Sequence, residues 1–310
     1  MLLIVCPNLA IDRILEVPDF RASVVQRCAA AIEQPGGKGS NAARVYRQLG
    51  GSVVLIGFVG RNNSKSITDP LKESGIQVET VEAYDNSRTC TIVLDPTGKS
   101  HPTVVNEESP ILEDNASERL LQIADKWIPL VDAVFVTGSL SQGLAHDYYR
   151  YLLERARSLG KFTGLDAAGP ALAEGINARP GFLKLNAQEF GELAGVSVPN
   201  TRHVIDYLRN SGSEPAHHTA VTFGGAGAIL SVNGQFWQAA PPEVFDTNPI
   251  GSGDSFAAAY LYEFMRSGEV EQAFRCALAA GAVDAGSVRP GVVNAEDVLS
   301  LAKTVQIHQL

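Results

Sequence analysis

Short apolar runs alternate along the chain with segments in which apolar residues recur at helical spacing. The apolar runs predict strands at 2–6, 53–59, 133–137, 162–166, 182–185 and 219–223. The helical spacing predicts helices at 40–49, 65–74, 147–159, 187–194, 254–266, 270–284 and 295–303. Because strands alternate with helices, the pattern indicates an α/β protein with a mostly parallel sheet that is covered on both faces.

Two regions interrupt this alternation. Segments 88–94 and 101–105 are rich in β-forming residues and flank the turn sequence DPTG at 95–98, which predicts a hairpin. Segment 14–31 is also strand-like and shows no helical spacing. These two insertions are able to pair as a small separate sheet. A second hairpin is predicted around Asn233-Gly234.

Composition and charge narrow the class of partner. The 310-residue chain has 34 acidic and 25 basic residues, a formal net charge of −9, which argues against nucleic acid or an anionic membrane as the main partner. It does not argue against an anionic small molecule, since a few placed cations reverse the sign locally. Four widely spaced cysteines without a CxxC pair favour reduced thiols in a cytoplasmic protein. Neither a signal peptide nor a membrane span is predicted.

Several common catalytic motifs are absent from the sequence. It contains no GxxxxGK[ST] loop, no complete GxGxxG, no HExxH and no GxSxG. Walker-type nucleotidases, Rossmann dehydrogenases, zinc hydrolases and α/β-hydrolases are therefore disfavoured.

A glycine-rich segment, GGKGSN at 36–41, immediately precedes the first predicted helix. Glycines let the backbone approach a ligand, and the helix N-terminus that follows offers free N–H groups to an oxyanion. Asn41 is placed to hydrogen-bond a hydroxyl. The same residues equally fit a flexible turn in which Ser40 or Asn41 caps the helix.

A second small-residue segment, GSGD at 251–254, precedes a long predicted helix. Its successive N–H groups point into one concavity, which is typical of an anion nest. Asp254 beside that nest is able to accept a proton from a hydroxyl. The alternative is that Asp254 is an ordinary acid in the first turn of a helix.

Two further strand ends carry candidate chemistry. Asn186 and Glu189 form a capping-box pattern, which gives them a structural role; the functional alternative places Glu189, through water, on Mg²⁺ and Asn186 near phosphates. TFGGAG at 222–227 either lines a nucleotide or simply turns the chain.

In this order and spacing, the motifs resemble the PfkB/ribokinase family of sugar kinases. The resemblance spans the chain from NLAID at 8–12 to the last helices, with signatures GGKGSNAARVYRQLG at 36–50 and NPIGSGDSFAAAYL at 248–261. The opening NLAID, the lysine of GGKG, Arg88-Thr89 and TGSL at 137–140 resemble the hexose-phosphate branch, namely 1-phosphofructokinase and tagatose-6-phosphate kinase.

The resemblance implies a ribokinase-like α/β/α fold of three layers in a single domain, 1–310, with a β-sheet lid formed by 14–31 and 88–105. It implies ATP and Mg²⁺ as cofactors, a sugar phosphate as substrate, and a homodimer paired through the lid. Asp254 would be the general base, and the anion hole would be the N–H groups of Gly251, Ser252 and Gly253. Sugar hydroxyls would be held by Asp12, Gly37 and Asn41. The phosphate already on the substrate would be bound by Lys38 and Arg88, with Arg27 and Ser139. ATP would be bound by Asn186, Thr222, Gly224, Gly225 and Gly227, and Mg²⁺, through water, by Glu189.

The sequence departs from the family pattern at a few positions. Pro249 replaces the usual Thr and Ser252 the usual Ala, but neither removes the nest amides. Asn248 stands where many ribokinases have an Asp of a monovalent-cation site, and SLSQG at 139–143 replaces SLPPG.

Two alternatives to a ketohexose-phosphate kinase stay open. One is a kinase of an unphosphorylated sugar or nucleoside, against which Lys38 and Arg88 argue, since a neutral sugar would not need them. The other is a sugar-phosphate or nucleotide binding protein without catalysis, against which the joint presence of Asp254, the nest glycines and Glu189 argues.

Overall fold

The computed structural model describes residues 1–210, 214–245 and 247–310. Its strands are β1 (Leu2–Asn8), β2 (Ala10–Glu16), β3 (Ala30–Gly36), β4 (Val53–Gly60), β5 (Gln77–Tyr84), β6 (Thr89–Leu94), β7 (Thr103–Asn106), β8 (Ala133–Thr137), β9 (Phe162–Asp166), β10 (Phe182–Asn186), β11 (His218–Thr222), β12 (Ala228–Val232), β13 (Gln235–Ala239) and β14 (His308–Gln309). Its helices are α1 (Lys38–Gln48), α2 (Ser64–Glu73), α3 (Ala116–Trp127), α4 (Tyr148–Ser158), α5 (Gly169–Gly175), α6 (Ala187–Ala194), α7 (Thr201–Asn210), α8 (Ser252–Ser267), α9 (Val270–Ala285) and α10 (Ala295–Ala302).

The large sheet has the strand order β14-β13-β12-β11-β10-β9-β8-β1-β4-β5 in the described residues. Neighbours from β11 to β5 are parallel, and the pairs β11–β12, β12–β13 and β13–β14 are antiparallel. The chain leaves β1 for β4 on one side and reaches β8 on the other. The strand order therefore reverses at β1, and such a reversal opens a crevice at the carboxyl ends of the strands.

Helices cover both faces of this sheet because its inner strands are apolar on both sides. In β1, Leu2, Ile4 and Cys6 pack in one core with α1, α8 and α9. Leu3 and Val5 pack in the opposite core with α3, α4 and α6. The three-layer α/β class with a mostly parallel sheet is confirmed. No helix in the described part of the chain is both long and apolar enough to cross a membrane.

A second, four-stranded sheet stands apart from the large one, with the order β3-β2-β6-β7. We call it the small sheet. Its apolar face buries Ile14, Ile92 and Leu94 against Ile250 and Val288, whereas all four residues of β7 are exposed. The pairing of the two insertions is confirmed, including the antiparallel β6–β7 hairpin. The strands at 10–16 and 30–36 extend beyond the predicted segment 14–31.

The structure differs from the sequence prediction mainly at element ends and in the outer layers. Helix α1 begins at Lys38 with Gly37 as its N-cap, two residues before the predicted start. Strands β5 and β14 and helices α3, α5 and α7 were not predicted. The hairpin at Asn233-Gly234 is confirmed as β12–β13.

Candidate active site

The carboxyl ends of the parallel strands bring most of the candidate residues to one edge of the large sheet. Strand β9 ends at Asp166, β10 at Asn186 and β11 at Thr222. Beside β1, Asn8 Nδ2 donates to Ser139 Oγ at 2.8 Å, which ties the ends of β1 and β8 together. The two glycine-rich segments approach this edge from α1 and α8.

The two segments meet through Asn41 and Asp254, which are 213 positions apart. Asn41 Nδ2 donates to Asp254 Oδ2 at 2.8 Å. Asp254 lies in the first turn of α8 and is only 7% exposed. Burial raises the pKa of Asp254 to about 7, with Asp166 adding to the rise and Lys38, the Asn41 bond and Lys184 opposing it. A carboxylate with this pKa is suited to accept a proton near neutral pH.

The turn before α8 leaves amide hydrogens free to bind an anion. Ser252 N–H donates to Pro249 O at 3.3 Å, and Asp254 N–H donates to Gly251 O at 2.9 Å. By contrast, the N–H groups of Gly251 and Gly253 have no acceptor within the described ranges. Of the three predicted nest amides, those of Gly251 and Gly253 are the ones left free.

A cluster of charged side chains lies next to this turn. Lys38 Nζ forms a short ion pair with Asp166 Oδ1 and lies 3.4 Å from Glu189 Oε1. Lys184 Nζ lies 3.2 Å from Asp166 Oδ2. Although burial opposes ionisation, Lys184 and Lys38 hold the pKa of Asp166 below its usual range, and Asp166 and Glu189 raise that of Lys38.

Asp166 and Lys184 are site residues that the sequence prediction missed. Both lie in buried strands, where an unpaired charge would be costly. The sequence offered one signal for each residue: an acid at the end of one apolar strand and a lysine within the next strand. Their pairing depends on strand order, which the sequence does not state.

Glu189 has the capping role that the sequence pattern predicts for its position. Asn186 accepts from Glu189 N–H and its own N–H donates to Glu189 Oε2, each at 2.8 Å, so the capping box is present. The other carboxylate oxygen, Oε1, faces Lys38. The carboxylates of Asp166 and Glu189 therefore both contact the Lys38 ammonium. Two neighbouring carboxylates also fit Mg²⁺, which takes one or two protein carboxylates together with phosphate oxygens and water.

A second group of residues lies where the small sheet joins the large one. Asp12 is buried, and a β-carbon at Gly36 would lie 2.0 Å from its Oδ1, so only glycine leaves room for this carboxylate. Burial raises the pKa of Asp12 to about 6, although Arg44 and Arg88 oppose the rise. Arg88 Nη2 donates to Asn8 O at 3.3 Å, and its buried Nε has no acceptor in the described residues.

The remaining candidates are Thr222, the glycines that follow it, and Arg27. Thr222 Oγ1 donates to Leu185 O at 3.3 Å, and Gly224 and Gly225 are exposed in the tight turn that Gly227 closes. Arg27 is exposed on the segment between β2 and β3 and forms no hydrogen bond or ion pair with any described residue. Apart from Arg27, the candidate residues therefore lie at or beside the carboxyl edge of the large sheet.

The chain is similar over its whole length to several known proteins. A family model described as pfkB family carbohydrate kinase matches residues 1–293. The chain is 27% identical over 310 residues to a 1-phosphofructokinase of Bacillus subtilis, covering all of both chains. It is 26% identical over 316 residues to a tagatose-6-phosphate kinase of Staphylococcus epidermidis, again covering all of both. A crystal structure of phosphofructokinase-2 from Escherichia coli with fructose-6-phosphate superposes with a TM-score of 0.86 at 22% identity over 98% of each chain.

Proposed function

Since the chain belongs to the pfkB family of carbohydrate kinases, we propose that it transfers the γ-phosphoryl group of ATP to a hydroxyl of a ketohexose phosphate. The observation that carries this proposal is the contact between Asn41 and Asp254. Asp254 is a buried carboxylate with a pKa of about 7, and it belongs to the same turn as the free amides of Gly251 and Gly253. One group to take the proton and others to stabilise the moving phosphoryl group are therefore adjacent.

In the proposed reaction, Asp12, Asn41 and the Gly37 backbone hold the sugar hydroxyls. The acceptor oxygen attacks the γ-phosphorus while its proton passes to the ionised carboxylate of Asp254. The bond between the γ-phosphorus and the bridging oxygen breaks, and ADP leaves with that oxygen. The N–H groups of Gly251 and Gly253 stabilise negative charge on the transferred group.

The nucleotide would lie along the ends of β10 and β11, between Asn186 and the glycine turn that follows Thr222. Asp166 and Glu189 would hold Mg²⁺, which, when bound, neutralises charge on the β- and γ-phosphate oxygens. Lys38 contacts the same two carboxylates. We therefore assign Lys38 to the transferred phosphoryl group, a different role from the one the resemblance implies.

The phosphate already on the sugar would then be bound chiefly by Arg88, together with Ser139. Arg88 lies near Asp12 and pairs with no carboxylate in the described residues. Exposed Arg27 would join this phosphate if the segment between β2 and β3 closes over it. The small sheet would then act as a lid, and exposed β7 would pair it with a second copy of the chain.

A substrate panel tests the proposal against its alternatives. ADP release would be measured with fructose 1-phosphate, fructose 6-phosphate, tagatose 6-phosphate, fructose, ribose and adenosine. We expect at least one sugar phosphate to give a kcat/KM about 100-fold above the neutral acceptors, because a charge-assisted phosphate contact contributes about 1.5–3 kcal/mol. Equal or better turnover of a neutral sugar or nucleoside would favour the first alternative. Nucleotide binding without ADP release for any acceptor would favour a binding protein.

A further inference from the structure

Arg44 is a buried cation of α1 to which the proposed reaction assigns no role. It is 7% exposed. Its Nη1 donates to Pro35 O at 2.7 Å, and its Nη2 donates to Pro290 O at 2.8 Å and to Asn41 Oδ1 at 2.6 Å. It forms no ion pair with a carboxylate in the described residues. A buried guanidinium that bonds only neutral oxygens holds backbone segments and one side chain in place.

The bond from Arg44 to Asn41 determines which way the Asn41 amide faces. A guanidinium only donates hydrogen bonds, so the amide must present its oxygen to Arg44. The amide nitrogen then faces Asp254 and donates to it at 2.8 Å. An ionised carboxylate only accepts, so the reversed amide would fail at both ends. Arg44 therefore acts on Asp254 through Asn41.

The charges around Arg44 belong to the same site. Burial lowers the pKa of Arg44 to about 10, while Asp12, Asp284 and Asp254 oppose the change, so the group stays charged at neutral pH. The charges of Lys38, Lys184 and Asp166 also act on Asp254. The charge of Arg44 thus interacts with both Asp12, the proposed ligand of a sugar hydroxyl, and Asp254, the proposed general base.

Arg44 also connects the small sheet to the loop after α9. Pro35 lies in β3, and Pro290 O accepts a second bond, from Gln34 Nε2 at 3.0 Å. A β-carbon at Gly291 would lie 2.7 Å from Asn41 Cα, so this loop packs directly on Asn41. The end of β3, the loop and the base are therefore held by one side chain.

We propose that Arg44 is a positioning residue for phosphoryl transfer: it fixes the Asn41 amide so that its nitrogen donates to Asp254. This inference rests on the proposed function. A purely structural Arg44 would affect folding stability alone, whereas a positioning Arg44 affects the protonation and orientation of the general base.

The test compares Arg44→Met and Arg44→Lys with the matched control Arg47→Met, an exposed arginine one turn further along α1. We expect Arg44→Met to lower kcat about 100-fold, the cost of a small misplacement of a catalytic group. The acid limb of kcat/KM should move up by about one pH unit, because the ionised form of Asp254 loses both its oriented donor and a nearby cation. Lysine keeps the positive charge but lacks the planar set of N–H donors of arginine. The kcat and the pH profile of Arg44→Lys should therefore lie between those of wild type and Arg44→Met. Arg47→Met should behave as wild type.

Two further measurements make the outcome decisive. In a cycle with Asn41→Ala, the Arg44→Met change should cost far less than it does in wild type, because the two residues act as a unit. By NMR, the Asn41 side-chain amide should titrate with Asp254 in wild type and not in Arg44→Met, a readout that needs no turnover. The proposal would be overturned by additive losses in the cycle or by an unchanged pH profile in folded Arg44→Met. If Arg44→Met fails to fold, wild-type kinetics of Arg44→Lys would overturn it. Absence of kinase activity in wild type would instead overturn the proposed function.

Discussion

Lys184 lies directly against Gly253: a β-carbon at position 253 would be 2.7 Å from Lys184 Nζ. This contact joins the ion pair of Lys184 and Asp166 to the turn that carries the free amides. The edge of the large sheet and the start of α8 therefore pack so closely that a side-chain carbon at position 253 has no room. Position 253 is therefore sensitive to any added side-chain atom.

Gly253→Ala should lower kcat at least 10-fold and should also lower the free energy of unfolding. The new methyl group pushes the Lys184 ammonium away from Asp166, and disturbing this buried ion pair costs more than the about 0.5–1 kcal/mol by which alanine is favoured over glycine inside a helix. Displaced Lys184 no longer holds Asp166 beside the phosphoryl position. Steady-state kinetics and urea unfolding check the two halves. Wild-type kcat in a folded variant would show that this close approach is not needed for turnover.

Asp254→Asn should lower kcat by about 10²–10⁴-fold, the range for a lost general base, with ATP affinity nearly unchanged. In wild type, kcat/KM should fall about tenfold per unit below pH 7, because protonated Asp254 cannot accept the hydroxyl proton. The profile is measured from pH 5 to 9 with saturating ATP. A flat profile through pH 7, or normal turnover of Asp254→Asn, would contradict the role of Asp254 as base.

Substitutions of Arg88 and of Lys38 should change different kinetic constants. Arg88→Ala should raise KM for the sugar phosphate about 10–100-fold with kcat little changed, since it contacts a group that does not react. Lys38→Ala should mainly lower kcat, because Lys38 lies with Asp166 and Glu189 beside the transferred group. Exposed Arg202→Ala serves as the control. A loss of kcat alone in Arg88→Ala would place that residue at the transferred phosphoryl group instead.

Local patterns predicted the parts of the site that lie within one segment. The two glycine turns, the capping box of Asn186 and Glu189, and the strand and helix around each follow from residue spacing. The ion pair of Asp166 with Lys38 does not, because it joins residues 128 positions apart. Arg44 has the sequence pattern of an ordinary helical arginine, and its burial follows from its contacts with β3 and with the loop at Pro290.

The missed outer elements have local causes. Strand β5 lies at the edge of the large sheet and alternates buried and exposed residues irregularly, so no clean strand period is present. Helix α3 does have a sequence signal, since Asn115 and Glu118 have the spacing of a helix start, but Asn115 adopts a left-handed conformation and makes no side-chain cap in the structure. Strand β5 is therefore the element that depends on packing against the rest of the chain rather than on its own pattern.

Asp284 should make the free energy of unfolding depend on pH, and the substitution Asp284→Asn should show the direction. It is fully buried, its Oδ1 accepts from Val292 N–H at 3.0 Å, and burial raises its pKa to about 7. In the unfolded chain its pKa is about 4, so the folded protein binds this proton more tightly. The contribution of Asp284 to stability therefore falls as pH rises from about 4 to 7 and is lowest above pH 7.

Asp284→Asn removes this titration, so the free energy of unfolding of the variant relative to wild type should increase between pH 5 and pH 8 by about 1–4 kcal/mol. Urea unfolding at both pH values measures the difference, with exposed Asp114→Asn as the control. A β-carbon at Gly251 would lie 3.1 Å from Asp284 Oδ2, so an ionised Asp284 faces the same turn that would receive the phosphoryl charge. A relative stability that stays constant from pH 5 to 8 would mean that Asp284 takes up no proton there.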